Sequence, residues 1–414
     1  MTTIKNNIIE IMVAAGVLII LLYSSVPDIY PDSQRFLTGN LHDPPLYSTI
    51  IYVMQLIFGS LNSIIILQTL FVGFSIIYFT RTVAVHFNLD IIIKSFVALF
   101  LFLPILKFYN SLITEPISYA FSLLFVSFVI KLIYNLSIQN IVWSTIFVIV
   151  LLLTRNQFLF LYPVVLLLYL GILILYSSKK TFAWLLISFL SIFIIHNASI
   201  NLNKYVKKNY LENKSLSNLS NAKGIFFFTY IDAIYISTDK DIELFENENI
   251  QNTLTSILSK LNNKKALIKY YDNRGHYSLS LKEIRNYSDI LLKDLALKEN
   301  TNVTHLKKKI SIKIITANFG KYTKHIFKKF YDSTWLFVFV PFLMMLASLI
   351  GFIKYKSKYS LVIIFVSVFA LTNHSVIYLF GRVQPRYFIY TDFILLLFIF
   401  ITFAIFLKRE KNIK

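Results

Sequence analysis

Ile8-Ile9-Glu10-Ile11-Met12-Val13-Ala14-Ala15-Gly16-Val17-Leu18-Ile19-Ile20-Leu21-Leu22-Tyr23 is an apolar run with a single acid. It breaks into Pro27-Asp28, then Pro31-Asp32-Ser33-Gln34-Arg35-Phe36, then Leu41-His42-Asp43-Pro44-Pro45-Leu46-Tyr47. The run approaches the length of about 18 apolar residues that marks a membrane-spanning helix. The stretch that follows is polar, acidic and stiffened by proline at both ends. It sits in a chain of 414 residues that is 56% hydrophobic and only 15% charged, with 39 Phe and 26 Tyr. A soluble domain is nearer a quarter charged, and the mean hydropathy here is +0.64. The weakly alternating segments of a transmembrane barrel are absent. The expectation is an all-α polytopic membrane protein.

Similar apolar runs recur along the chain. About ten spans are expected, near residues 8–25, 60–80, 91–107, 113–134, 138–153, 157–176, 181–197, 334–353, 360–379 and 388–407. The stretch 46–59 after Pro45 is apolar but short. It reads either as a helix lying in the membrane interface or as the start of a long, tilted second span. The first run follows Lys5, as a signal peptide would, but no Ala-x-Ala site follows it and many spans do, so it reads as an uncleaved anchor. This divides the chain into an N-terminal membrane module, residues 1–197, with its polar loop at 26–45, an insert at 198–332 and a C-terminal membrane module at 333–414. No internal repeat is visible, which weakens a transporter built on inverted repeats.

Charge sets the expected orientation. With the N-terminus inside, Lys5, Arg81, Lys131, Lys179, Lys180, Lys354, Lys356, Lys358, Lys408, Arg409, Lys411 and Lys414 all fall on the inner side, as the positive-inside rule requires. An even number of spans returns the C-terminus to that side. The outer side then receives Asp28, Asp32, Arg35, His42 and Asp43, then Lys107 and Glu115, Arg155, the insert, and finally His374, Arg382 and Arg386. The net charge of +20 is accounted for by these loops and the insert, and does not suggest a nucleic-acid partner. Long loops cross a membrane regardless of charge.

The insert is Lys- and Asn-rich, and a mixed structure is expected. Ser280-Leu281-Lys282-Glu283 reads as a capping box, with Ile284, Tyr287, Leu291 and Leu295 at helical spacing behind it. A second helical pattern runs from about Ile310 to Tyr331 and leads into the next span through Trp335. Residues 225–236 are aromatic and β-branched, suiting a strand or a buried segment. Lys307-Lys308-Lys309 is read as a solvated helix face. Lys328-Lys329 has the same reading, or else approaches anionic headgroups.

Ionisable groups at membrane depth are costly and are functional candidates by default. Asp28, Asp32 and Asp43 share one proline-stiffened loop. Partly desolvated, such a carboxylate has a raised pKa and acts as a base, or it binds a divalent cation. An ordinary solvated loop is the competing reading. Glu115, before Pro116, is either a good helix start or an acid facing that loop. Arg155, in Leu153-Thr154-Arg155-Asn156-Gln157, is either a snorkelling boundary residue or part of a site. Arg382 and Arg386 run against the positive-inside trend, and two guanidinium forks near the interface suit a phosphate. His374 stands alone and reads as structural. Zero Cys excludes disulfides, thiolate metal sites and a Cys nucleophile. There is no Walker A loop, no glycine-rich dinucleotide fingerprint and no Gly-x-Ser-x-Gly elbow.

Together these features resemble the GT-C class of polyprenyl-phosphate-sugar glycosyltransferases, in the branch of the protein O-mannosyltransferases and the lipid A aminoarabinose transferases. Pro31-Asp32-Ser33-Gln34-Arg35-Phe36 is similar to that branch's Pro-Asp-Glu-x-x-Tyr. His42-Asp43-Pro44-Pro45-Leu46-Tyr47 is similar to its acidic or His residue before Pro-Pro-Leu. Thr114-Glu115-Pro116 resembles the acidic start of the fourth span, Thr154-Arg155-Asn156-Gln157 the Thr-Arg-Pro-x segment, and Gln384-Pro385-Arg386-Tyr387 the Arg-Tyr of a late span. The departures are Ser33, where the family has a second acid, and a shorter first loop. The resemblance is silent over most of the insert.

The resemblance implies a GT-C-like fold of about ten spans and a chemistry. Asp32, or Asp28 in its place, deprotonates an acceptor hydroxyl that attacks the anomeric carbon with inversion. Arg382, Arg386 and Arg155 stabilise the departing polyprenyl phosphate. Glu115, His42 and Asp43 orient substrate; if a divalent cation takes part, Glu115 and Asp43 hold it. The implied donor is a polyprenyl-phosphate-linked sugar, with glucose the first guess, and the implied acceptor a cell-surface glycan such as lipopolysaccharide O-antigen, at the periplasmic face of a bacterial inner membrane. Two other classes compete. A flippase of lipid-linked glycan calls for charges along mid-span positions. An O-antigen polymerase or ligase also uses outer Arg residues and a large loop, without the early Asp-then-Pro-Pro-Leu order.

Overall fold

A computed structural model describes residues 7–24, 27–37, 43–106, 108, 110–211, 226–264, 279–380 and 385–411. In chain order its helices are α1 (Ile8–Tyr23), α2 (Pro31–Leu37), α3 (Pro45–Phe58), α4 (Asn62–Phe87), α5 (Ile91–Leu106), α6 (Glu115–Tyr134), α7 (Ile138–Thr154), α8 (Leu161–Tyr176) and α9 (Lys179–Leu211). They continue as α10 (Phe226–Ile236), α11 (Glu248–Lys264), α12 (Leu279–Lys298), α13 (Val303–Ala317), α14 (Phe319–Tyr355), α15 (Lys358–Phe380) and α16 (Pro385–Lys411). Short 3₁₀ turns lie at Asn156–Phe160 and Asp239–Leu244. Among the described residues the one extended pairing is a bridge between Asp28 and Ser111. The chain forms two compact units. One comprises residues 1–220, 340–373 and 388–414, the other residues 221–339 and 374–387.

Among the described residues seven helical stretches are long and apolar enough to cross a membrane: Asn62–Phe87, Glu115–Tyr134, Asn156–Tyr176, Lys179–Val206, Leu336–Tyr355, Lys358–Leu379 and Tyr387–Phe406. They coincide with seven of the ten expected spans. The other three fall on α1, α5 and α7, which have 16, 16 and 17 residues. At a rise of 1.5 Å each is about 25 Å long, short of a hydrocarbon core of about 30 Å. The stretch 46–59 is not the start of a tilted second span. It is a separate helix, α3, ended by Gly59 at φ +65°, a left-handed C-cap that glycine adopts without strain.

In the first unit α6 is buried on nearly all sides, as a helix apolar all round should be. Its few polar residues turn inward; Ser122 and Ser127 donate to carbonyls one turn back. Small residues permit close helix approach. A Cβ on Gly73 would stand 2.6 Å from Cγ2 of Val17, so glycine lets α4 meet α1 there. Ser188 bonds both Thr145 and Tyr169, joining α9 to α7 and α8. Basic residues are anchored toward one end. Arg81 pairs with Glu10, Lys131 donates to the Tyr78 hydroxyl at 2.7 Å, and Lys358 donates to the Tyr134 carbonyl at 2.9 Å.

The second unit corrects the expectation of a mixed insert: its described residues form helices joined by short connections, with no strand among them. Residues 226–236, rich in aromatic and β-branched side chains, form helix α10. Burial rather than strand propensity explains them, since Tyr230, Ile231, Ala233 and Ile234 belong to a core shared with α11, α12 and α13. Ile284, Leu292 and Leu295 line that core from α12, with Leu291 packed against it. Helix α12 begins at Leu279, so Ser280 stands inside its first turn rather than at the cap. The capping box lies instead at Thr238 and Asp241, whose side chains bond each other's backbone N–H groups. The pattern from 310 to 331 is two helices. Asn318 ends α13 and donates to Asp241 at 2.7 Å and to the Ile314 carbonyl at 3.2 Å. Burial pushes the Asp241 carboxyl up, but the Asn318 amide, the Thr238 backbone and hydroxyl, and the Lys321 charge together hold it below the usual aspartate value.

Candidate functional site

Glu115 and Pro116 open α6, and proline suits a first helical turn because its missing N–H has no helical partner there. The segment before them is tied to the first polar loop by backbone. The Asp28 N–H donates to the Asn110 carbonyl at 2.7 Å, and the Leu112 N–H donates to the Asp28 carbonyl at 3.1 Å. This fastens Asp28 four residues before Glu115. The Asp28 side chain itself is exposed.

Glu115 is buried, with 2% of its surface exposed. Its Oε1 lies 2.9 Å from Nη1 of Arg155, and the Thr114 hydroxyl is 3.4 Å from Oε2. Arg155 occupies the break between α7 and the 3₁₀ turn, in extended backbone. Its Nη1 also donates to the Tyr390 hydroxyl at 2.6 Å. The preceding Thr154 donates to the Leu151 carbonyl and accepts from Ser118 at 3.3 Å, fixing the end of α7 against α6. Arg155 therefore does not snorkel outward; it turns inward to a buried carboxylate. Glu115 is more than a favourable helix start, since its charge is matched by a cation from another helix junction.

A polar chain continues beside this pair. Gln157 donates to Asn373 at 2.7 Å, Asn373 donates to Thr391 at 3.0 Å, and the Thr391 hydroxyl is 3.3 Å from Asp392 Oδ1. Asn373 and Thr391 are fully buried. Tyr390, Asn373, Thr391 and Asp392 escape sequence reasoning, because single polar residues inside apolar runs carry no spacing signal. Asp392, an acid within a span-length helix, is the one that hydropathy alone could have flagged.

Asp43 is buried and accepts from Arg35, while its carbonyl accepts from Asn203 at 3.4 Å. Four residues on, the Tyr47 hydroxyl donates to Gln68 at 2.7 Å, and the Gln68 amide reaches the Ser111 carbonyl at 3.4 Å. The start of α3 is thereby linked to the segment that leads into Glu115. Asp32 lies in the first turn of α2, placed by its backbone alone. Its neighbour Ser33 is fully buried and accepts from the Tyr30 N–H at 2.9 Å. The position where the resembling family has a second acid is here an internal cap of α2.

His42 and Arg382 lie outside the described residues. Arg386 is placed by backbone in the first turn of α16, within the second unit. His374 is fully buried in that unit, between the rings of Phe337 and Tyr378, in keeping with a structural reading. Among the described residues no three His, Asp or Glu side chains converge as metal ligands. Glu115 and Asp43, the pair open to a divalent cation, each face an arginine instead, so the residues present do not fit one.

A second buried charge cluster lies in the second unit. Asp232, fully buried on α10, accepts from Lys329 at 2.8 Å and lies 3.2 Å from His325 Nε2. His325 and Lys329 are one helical turn apart on α14. Lys329 also donates to the Tyr378 carbonyl at 3.1 Å. Burial, then the Asp232 charge, pushes the Tyr322 phenol up. Lys329 is thus neither solvated nor aimed at headgroups. Lys307 departs from its expected solvated face in the same way, being buried and paired with Asp289 at 2.6 Å.

No family model matches this chain, and no curated protein sequence or solved structure is significantly similar to it.

Proposed function

We propose that this chain is a multi-pass membrane glycosyltransferase that moves a sugar from a polyprenyl-phosphate donor to a cell-surface glycan, O-antigen being the first candidate. The observation that carries the reading is the buried Glu115–Arg155 pair, set beside a first loop whose backbone is tied to residues 110–112. Two of the sequence motifs that carry the resemblance to the GT-C class, at Glu115 and at Arg155, supply the pair, and this supports the reading. In this reading the seven long helices and the shorter α1, α5 and α7 make ten crossings. Arg81, Lys131 and Lys358 then mark the cytoplasmic end and Glu115 and Arg155 the periplasmic end of a bacterial inner-membrane protein.

The reaction follows from the roles. Asp32 takes the proton of an acceptor hydroxyl. The hydroxyl oxygen bonds to the anomeric carbon as that carbon's bond to the phosphate oxygen breaks, with inversion. Polyprenyl phosphate leaves with the bonding electrons, and the proton passes from Asp32 to water. Arg155 faces the charge that develops on phosphate. A guanidinium already fixed by Glu115 and Tyr390 needs little reorganisation in the transition state, which is the largest electrostatic advantage such a site has.

Deleting the gene and analysing the surface glycan tests this reading. Loss of one sugar substituent is expected, with its lipid-linked donor accumulating. An unchanged glycan without accumulating donor contradicts it.

A further inference from the structure

The helix α3 carries no charge over its 14 residues, PLYSTIIYVMQLIF. Tyr47 and Ile51 point inward, one turn apart, into a cluster with Ile64, Leu112 and Ile117. Tyr52, Val53, Leu56, Ile57 and Phe58 are exposed, Leu56 by 73%. A contiguous apolar face of this kind marks a contact surface.

The two ends of α3 meet α4 at nearly the same level. Near its start, Tyr47 packs with Ile64 and bonds Gln68. At its end, Gly59 turns the chain and three residues lead into Asn62. Those contacts on α4 are two to six residues apart, or about 3–9 Å along its axis, whereas α3 is about 20 Å long. A helix of that length with both ends so close in level lies across α4, not alongside it. The level is that of Leu112 and Ile117, the Glu115 end of the unit.

Helix α4, which follows, also exposes apolar side chains, among them Leu67, Leu70 and Phe74. Its one polar residue among the exposed apolar five is Gln55. A protein partner would be expected to meet a polar or charged rim; acyl chains need none. We propose that α3 lies in the plane of the membrane at the Glu115 end, with Tyr52, Val53, Leu56, Ile57 and Phe58 covered by lipid acyl chains. This does not depend on the glycosyltransferase reading.

The chain has no Cys, so single-cysteine labelling has no background. Full-length Val53→Cys, Leu56→Cys and Ile57→Cys, with Ile51→Cys as an inward control, would be reconstituted in phosphatidylcholine–phosphatidylglycerol vesicles. Nitroxide accessibility to oxygen and to an aqueous nickel chelate then gives depth. The expected result is oxygen access well above nickel access at positions 53, 56 and 57, at one shared depth of about 5–10 Å below the headgroups. The control at 51 should be shielded from both. A depth that changes by about 1.5 Å per residue along α3, nickel access above oxygen access, or shielding from both reagents at the three outward sites would each overturn the proposal. These sites are exposed, so each variant can be checked for native helicity, and any one that fails to fold leaves two that read the same depth.

Discussion

Replacing Lys329 by methionine removes the ammonium 2.8 Å from Asp232 while keeping most of the side-chain volume. Asp232 is fully buried, and Lys329 is 2% exposed. His325 stays 3.2 Å from the carboxylate, and the Tyr378 carbonyl loses a donor. Removing one partner of a buried ion pair costs about 3–5 kcal/mol, because the other charge stays buried and uncompensated. At about 1.4 kcal/mol per tenfold, the open population of the second unit should rise on the order of a hundred- to a few thousand-fold. Amide hydrogen exchange on the full chain in detergent reads this directly in peptides from α10 and the first turns of α14. The double variant Asp232→Asn with Lys329→Met removes both charges and should regain most of the protection. Acceleration below about tenfold in α10, with the double variant no better than the single, would refute the claim that this pair is buried and mutually dependent.

Arg155→Ala should strand the buried Glu115 and cost about 3 kcal/mol or more in thermal unfolding. Glu115→Gln combined with Arg155→Met should cost much less, and equal losses would contradict the pairing. Gly73→Val should destabilise by about 1–3 kcal/mol through overpacking against Val17, and adding Val17→Ala should recover part of the lost melting temperature. Thr238→Ala should cost about 1 kcal/mol through loss of the cap, read as faster exchange in residues 239–244. Because the Asp241 carboxyl is held below its usual value, it contributes stability above about pH 4 that is lost as pH falls through its lower folded value. Asp241→Asn should therefore flatten the acid limb of stability against pH.

Composition and run length reveal the helical class, and most helix positions follow from hydropathy. Length in three dimensions does not. The expected spans on α1, α5 and α7 fold as helices of about 25 Å, shorter than the other seven. The local errors share a cause. Residues 225–236 have strand-like side chains, but burial of Tyr230, Ile231, Ala233 and Ile234 among α11, α12 and α13 lets tertiary packing override propensity. The pattern from 310 to 331 hides its break because Asn318 gains a partner, Asp241, that lies 77 residues away. Lys329 looks solvated because its partner Asp232 is 97 residues distant. Glu115 and Arg155 stand out in the sequence as ionisable groups beside apolar runs. Their pairing, and the chain through Gln157, Asn373 and Thr391, depends on helix junctions that no local spacing encodes.

Transfer from a labelled donor measures the proposed activity itself. Membranes holding the wild-type chain or Asp32→Asn would be given polyprenyl-phosphate sugars, each labelled in the sugar, with the host's own surface glycan as acceptor. Label in glycan and free polyprenyl phosphate would both be measured. Transfer from one donor is expected of the wild type. For Asp32→Asn a drop of about a hundred-fold or more is expected, the usual scale for a lost general base, with helicity and expression unchanged. Near-normal transfer by Asp32→Asn, or no transfer by the wild type from any donor in the set, would contradict the proposal.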